Sequence, residues 1–235
     1  MGFKSKNDKS DAHGLAQLGA ERALKQWDPP VEFYATLRCL TRHYQCLQER
    51  KTAENNRLHA LQVAKHKDKF VIKHVEQSLK QLKDQIAKAA KQISKHLAKD
   101  EEARRKVSKI CMIKGIGELT VAVIIAETYG FELFDSAKQL VSYSGYDVIE
   151  NQSGKRQGKT KISKKGNSRI RRALHMPAFS AKKYEEVFRN LWLRTFEKHK
   201  LKMKSYVAVQ RKLLTTIFAL WKKDEVFESG YFKKM

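Results

Sequence analysis

The chain has 235 residues, enough for one large domain or two modest ones, each able to bury a core. Its 49 Lys and Arg against 25 Asp and Glu give a formal charge of +24 and a pI near 9.9, an excess that opposes compaction by self-repulsion and favours a polyanionic partner. A membrane-spanning segment is excluded: the longest apolar run, Leu119 to Ala126 interrupted by Thr120, is too short to cross a bilayer.

The opening MGFKSKNDKSDAHG carries no apolar stretch of a secretory signal, and Lys6 stands where a myristoylation site needs Ser or Thr. Cys39, Cys46 and Cys111 form no C-x-x-C, and Cys39 and Cys46 are seven apart in a helical pattern, so all three are expected to be reduced, buried packing residues. A soluble, cytoplasmic, nucleic-acid-binding protein is the first expectation, with no membrane partner.

Along the chain, residues 7–24 are rich in Ala and Leu and predict a short helix, ended by Trp-Asp-Pro-Pro at 27–30, where two prolines mark a boundary. Phe33, Leu37, Leu40, Tyr44, Leu47, Leu58 and Leu61 follow three-and-four spacing. A cleaner seam of Ile72, Val75, Leu79, Leu82, Ile86, Ala89, Ile93 and Leu97 is a heptad pattern flanked by Lys, Glu and Gln. Two such helices in succession predict an antiparallel hairpin; the seam either packs within the chain or docks a second subunit.

From Ile110 the composition changes. Glycine, absent from 20 to 114, appears at 115, 117, 130, 145, 154, 158 and 166. Residues 113–122, IKGIGELTVA, predict a glycine hairpin feeding an apolar helix. Gly115 and Gly117 would permit close backbone approach, and the helix start would offer N–H groups to a phosphate. That is the pattern of a helix-hairpin-helix, which holds a DNA backbone without reading its sequence; a simple turn between buried helices satisfies it equally. Further on, Phe179 to Phe196 predicts one helix with aromatics at Tyr184, Phe188, Trp192 and Phe196. A second runs from Tyr206 to Trp221 with apolar residues at 207, 213, 214, 217, 218, 220 and 221. The helical period assigns these aromatics to a core. His175, on an apolar helix face, is expected to be a satisfied structural histidine.

The stretch 150–176, ENQSGKRQGKTKISKKGNSRIRRALHM, carries the chemistry. Gly158-Lys159-Thr160 is the ending of a phosphate-binding P-loop, but the first glycine of that motif would fall on Ser153, so a nucleotide site is excluded. Between Ser153 and Arg172 there are nine Lys and Arg and no acid. The run is interleaved with glycines and then enters a helix, for which Ser168 is the expected N-cap. A charge run can be only a solvated face. A serine hydroxyl among guanidiniums is also what phosphoryl transfer requires, since the hydroxyl attacks and the cations stabilise the pentacoordinate phosphorus.

Residues 110–178 resemble the C-terminal transposase domain of the insertion-sequence one-ten family, the RNA-guided DEDD transposases with the Piv-type site-specific invertases. The resemblance is carried by the glycine hairpin (Lys114 replacing a proline), Phe-x-x-Ala-x-Gln-Leu at 134–140 and Tyr-Ser-Gly-Tyr at 143–146. Ser-Gly at 153–154, Ile-Ser-Lys-Lys-Gly-Asn at 162–167, Arg-Arg-Ala-Leu at 171–174 and Arg-Lys-Leu-Leu at 211–214 complete it. It implies that Ser153 is the nucleophile that forms a transient phosphoserine link to DNA. It further implies that Lys155, Arg156, Lys164, Lys165, Arg169, Arg171 and Arg172, with Gly115 and Gly117, contact DNA or RNA.

Asn7 to Ala12 resembles the ending of the family's RuvC-like domain, which implies that Asp8 and Asp11 belong to an incomplete Mg²⁺ set, the upstream acids being absent. The expected protein is all-α: a RuvC-like remnant (1–30), a coiled-coil arm (31–106), a C-terminal transposase domain with a helix-hairpin-helix and a basic serine-bearing loop (107–228), and a tail (229–235). The expected function is DNA transposition or site-specific recombination, with DNA and a guide RNA as partners and a dimer or tetramer as the assembly. The alternative is an inactive fragment acting only as a DNA- or RNA-binding oligomeric protein.

Overall fold

A computed structural model describes residues 7–23, 29–149, 152–153, 156–158 and 160–228. The chain divides into two compact units, Met1–Pro30 and Val31–Met235. In the first, helix α1 (Asp8–Glu21) begins with a reciprocal capping box: the Ser10 N–H donates to Asn7 Oδ1 at 2.8 Å, and the Asn7 N–H to Ser10 Oγ at 3.2 Å. α1 buries none of its residues.

The second unit opens with an antiparallel arm, α2 (Glu32–Val63) and α3 (Lys69–Leu97). Asp68 caps α3 by accepting from the Val71 N–H at 3.0 Å. The predicted heptad seam is buried at Val75, Leu79, Leu82, Ile86, Ile93 and Leu97 and packs on α2. α2 answers with Leu37, Thr41 and Leu47 and buries nothing beyond Leu47. At the base, Leu37, Ile93 and Leu97 belong to the same core as the helices that follow, so the arm is rooted in the main body.

That body contains α4 (Glu101–Ile110), α5 (Glu118–Thr128), α6 (Ala137–Tyr143), α7 (Ser168–Tyr184), α8 (Glu186–His199) and α9 (Lys202–Lys223). α5 is the central helix: every residue from Val121 to Thr128 is buried, and it packs on α2, α3, α4 and α7. A helix apolar on all sides can only be covered on all sides. α9 closes the other side against α4, α6, α7 and α8, burying Leu213, Leu214, Ile217 and Trp221.

The all-helical class holds, with local departures. The basic connection between α6 and α7 is not a plain loop. It forms two short antiparallel ladders, β1 (Val148–Ile149) with β4 (Lys161–Ile162) and β2 (Gln152–Ser153) with β3 (Arg156–Gln157). The segment 179–196 is not one helix: Glu185 takes an extended conformation (φ −112°, ψ 120°) between α7 and α8, and its Oε1 accepts the Lys114 N–H of the α4–α5 hairpin at 3.3 Å. Phe188 and Trp192 are core residues, whereas Tyr184 is exposed. Trp192 stacks on Phe196 at 4.9 Å and Trp221 meets Phe131 at 6.0 Å, so both indoles pack inside.

Cys39 and Cys46 are exposed and Cys111 is half-buried; all three are free thiols. The expectation of burial fails because the buried line of α2 runs through Leu37, Thr41 and Leu47 and leaves the cysteine face outside.

Candidate nucleic-acid interface

Two sequence motifs that are separated along the chain form one structure. The turn Tyr143–Tyr146 and the segment Ser163–Asn167 are laced by backbone bonds: the Asn167 N–H to Tyr143 O at 2.8 Å, the Lys164 N–H to Gly145 O at 3.1 Å, and the Ser163 N–H to Asp147 O at 2.8 Å. Glycine is required at this root. A Cβ on Gly166 (φ +139°) would sit 2.3 Å from Tyr143 O, and one on Gly145 (φ +69°) would sit 2.9 Å from Lys165 O. Beyond this root, Val148 lies opposite Ile162 and Ile149 opposite Lys161 in one ladder, and Ser153 lies opposite Arg156 in the second. Ser153 is the last residue of β2, and its partner strand begins at Arg156. Gly154 and Lys155 lie outside the described residues, as do the side chains of Ser153 and Arg156. Just before β4, Lys204 Nζ of α9 donates to Thr160 Oγ1 at 2.9 Å.

At the root lies an open cavity of about 410 Å³, walled by Ser142, Tyr143 and residues 165–169. Lys164, Lys165 and Arg169 are exposed here, Lys164 in the left-handed region at φ 55°. The N-cap of α7 is Asn167, not Ser168: Asn167 Oδ1 accepts the N–H groups of Arg169 at 3.0 Å and Ile170 at 3.3 Å. The three arginines of the first turns part company. Arg169 turns toward Glu127, Arg171 donates to Ser144 O at 2.8 Å, and Arg172 pairs with Glu49 of α2. Of this set, Arg171 holds the glycine turn and Arg172 ties α7 to the arm.

Sequence reasoning missed Glu127. It sits in the last turn of α5, fully buried, where the negative end of the helix dipole disfavours a carboxylate. Arg42 grips it with Nε on Oε1 at 2.7 Å and Nη2 on Oε2 at 3.0 Å, and Asn167 Nδ2 donates to Oε2 at 2.7 Å. Arg38 approaches at 3.5 Å and Arg169 at 3.9 Å. Burial pushes the carboxyl pKa up, but the bonds from Arg42 and Asn167 and the nearby guanidiniums outweigh it and hold it below the usual carboxylate range. Tyr143 OH takes the backbone carbonyl of Glu127 at 3.1 Å. Tyr129, which ends α5 in the left-handed region, hydrogen-bonds Arg38 and lies under its guanidinium at 4.8 Å. The signal in the sequence was a single acid inside TVAVIIAET, because a charge buried in an apolar helix requires partners elsewhere.

Nearby, Tyr146 OH donates to Gln210 Oε1 at 3.0 Å, and Gln210 Nε2 meets His175 Nδ1 at 3.2 Å, giving His175 the expected internal partner.

The α4–α5 hairpin divides its two glycines between different tasks. Gly115 (φ +98°) faces α7, where a Cβ would fall 2.3 Å from Ser180 Cβ, so its absence of a side chain serves packing. Gly117 caps α5 in an ordinary extended conformation and faces open space. The first turn of α5 carries Glu118, whose Oε2 accepts from Ser94 Oγ at 2.6 Å. That carboxylate offsets part of the attraction a helix N-terminus holds for phosphate.

Asp8 and Asp11 occupy the first turn of α1, three apart and both exposed. Carboxylates there are favoured by the helix dipole alone. Among the described residues no group of three His, Cys, Asp or Glu is placed to hold a metal. The pair as it stands therefore does not fit a self-sufficient Mg²⁺ site. No helix among the described residues is long and apolar enough to cross a membrane.

Residues 107–193 match the transposase IS116/IS110/IS902 family, and residues 3–66 match the DEDD transposase domain of the IS110 type. The first match contains the hairpin, Glu127, the ribbon and α7; the second contains Asp8, Asp11 and all of α2. The pilin gene-inverting proteins of Moraxella bovis and Moraxella lacunata are each 28% identical to this chain over 231 residues, covering 97% of it and 70% of each relative. Over both parts of its length the chain thus matches transposase domains of the IS110/IS116 type, and over nearly all of it the chain is similar to gene-inverting proteins, which supports DNA transposition or site-specific recombination.

Proposed function

We propose that the protein performs DNA strand transfer, as a transposase or an invertase, with Ser153 as the nucleophile. The Ser153 hydroxyl oxygen attacks a phosphodiester phosphorus. A Ser–O–P bond forms as one P–O bond to deoxyribose breaks, and the serine proton ends on the departing sugar oxygen. The number of phosphodiester-type bonds is unchanged, so attack by the sugar hydroxyl of another strand reverses the step and rejoins DNA without consuming a nucleotide. Lys155, Arg156, Lys164, Lys165 and Arg169 stabilise the charge that builds on the phosphorus oxygens.

The observation that carries this reading is the basic ribbon that ends β2 on Ser153 and is rooted beside a cavity flanked by Lys165 and Arg169. The gene-inverting activity in the names of the two relatives supports it. A guide RNA and an assembly of two or four chains belong to the same reading. So does Mg²⁺ at Asp8 and Asp11, an ion that accepts one or two carboxylates when DNA phosphates complete its shell; no step above is routed through it.

The test is trapping. Incubated with a nicked suicide DNA substrate, the protein should yield a covalent protein–DNA adduct that Ser153→Ala abolishes. DNA binding that survives with no adduct, even when a RuvC-like domain is supplied in trans, leaves only a non-catalytic DNA- or RNA-binding role.

A further inference from the structure

We infer that Glu127 is a positioning residue for the phosphodiester grip, fixing Arg169 and Asn167 at the ribbon root against Arg38 and Arg42 of the arm. This rests on the phosphate-stabilising role proposed above for Lys165 and Arg169, which line the cavity at residues 165–169. Glu127 lines no part of that cavity and is sealed from solvent, so it touches neither DNA nor the reacting atoms. It acts through two neighbours that do line it. Asn167 is held by its amide to Glu127 Oε2 at 2.7 Å while its carbonyl oxygen starts α7. Arg169 is held by charge alone, its Nε 3.9 Å from Oε1 and its side chain 44% exposed. A guanidinium held at that distance keeps its hydrogen-bonding edge available for a phosphate, whereas one in a bidentate clasp does not.

Arg42 supplies that clasp on the opposite side. The carboxylate therefore has one saturated face toward the arm and one loose face toward the cavity. Its partners come from α2 and from the start of α7 with its N-cap, two regions far apart in sequence, so the arm and the ribbon root share one anchor. A simple stabilising role explains this poorly, because a buried ion pair seldom out-performs a well-packed apolar residue.

The sign of one measurement separates positioning from plain charge. Glu127→Gln adds one net positive charge, so by electrostatics alone it would tighten DNA. If Glu127 positions the grip, the same substitution weakens duplex binding about 3- to 10-fold at fixed salt, with the thermal melt of the variant recorded alongside. Arg42→Lys keeps the net charge, removes the fork, and should weaken binding in the same direction; it decides the matter if Glu127→Gln does not fold. Weaker binding by folded variants supports the inference. Unchanged or tighter binding overturns it, as does a loss of binding that tracks only the unfolded fraction. A wild-type protein that never forms the Ser153 adduct, yet shows these affinity shifts, would refute the proposed chemistry and leave the positioning role standing.

Discussion

Asn167 donates its side-chain amide to Glu127 at 2.7 Å and turns its carbonyl oxygen back onto the first N–H groups of α7. One amide thus joins the buried carboxylate at the end of α5 to the start of the helix that follows the basic ribbon. The orientation of that side chain is fixed by the pairing, since an amide reversed about its last bond would present oxygen to a carboxylate.

Asn167→Ala removes both functions. An N-cap is worth about 1 kcal/mol, and a charged buried acceptor losing one partner costs about 1–3 kcal/mol more. Denaturant unfolding should show a loss of roughly 2–4 kcal/mol. Asn167→Asp preserves the cap acceptor but sets a second carboxylate against Glu127. Its deficit relative to the wild type should shrink as the pH is lowered toward 4.

The acid response of the whole unit follows from Glu127. Its pKa is depressed in the folded state, so its contribution is fully present above the unfolded carboxyl value of about 4.3 and is lost as pH falls through the lower folded value. Stability attributable to the network of Arg38, Arg42, Asn167 and Arg169 should hold down to about pH 4 and decline below it. A melting series of wild type against Glu127→Gln should converge at the acid end. Divergence that grows on acidification would contradict the assignment.

The two hairpin glycines should separate by readout. Gly115→Ala meets Ser180 at 2.3 Å in a positive-φ conformation and should destabilise by roughly 1–3 kcal/mol. Gly117→Ala meets nothing and should leave the melting temperature near its wild-type value. If Gly117 presents backbone to DNA, its substitution lowers affinity without that stability loss; an unchanged affinity restricts the hairpin to a packing role.

Among the basic residues, Lys165→Ala should reduce the slope of log affinity against log salt by about 0.9, the signature of one phosphate contact. Arg171→Ala should change the slope little and instead lower stability by about 1.5–3 kcal/mol, because its guanidinium holds Ser144 O inside the fold. Equal slopes for Lys165→Ala and the wild type would remove Lys165 from the interface.

Periodicity made the helical class, the heptad seam of α3 and the central apolar helix legible, because burial of one face leaves a repeat that any reader of residues can count. The spacing of Gly145, Gly166 and the basic run marked the region of the candidate interface. The contents of that region were not legible in the same way. Nothing local distinguishes Arg169, which faces the cavity, from Arg171, which bonds a backbone carbonyl, or from Arg172, which reaches Glu49 on the arm. Nor does local sequence show that Asn167 would outcompete Ser168 as the cap, a choice made by the lacing of residues 163–167 onto Tyr143 and Gly145.

What the sequence determined by itself was a strongly basic helical protein with a serine set among cations, since charge and periodicity are properties of the residues alone. What only the tertiary structure decided was the placement of Glu127. Its partners Arg38, Arg42, Asn167 and Arg169 lie between 40 and 89 positions away along the chain. Pairing of a buried charge depends on which helices pack beside it, and that is fixed by the core.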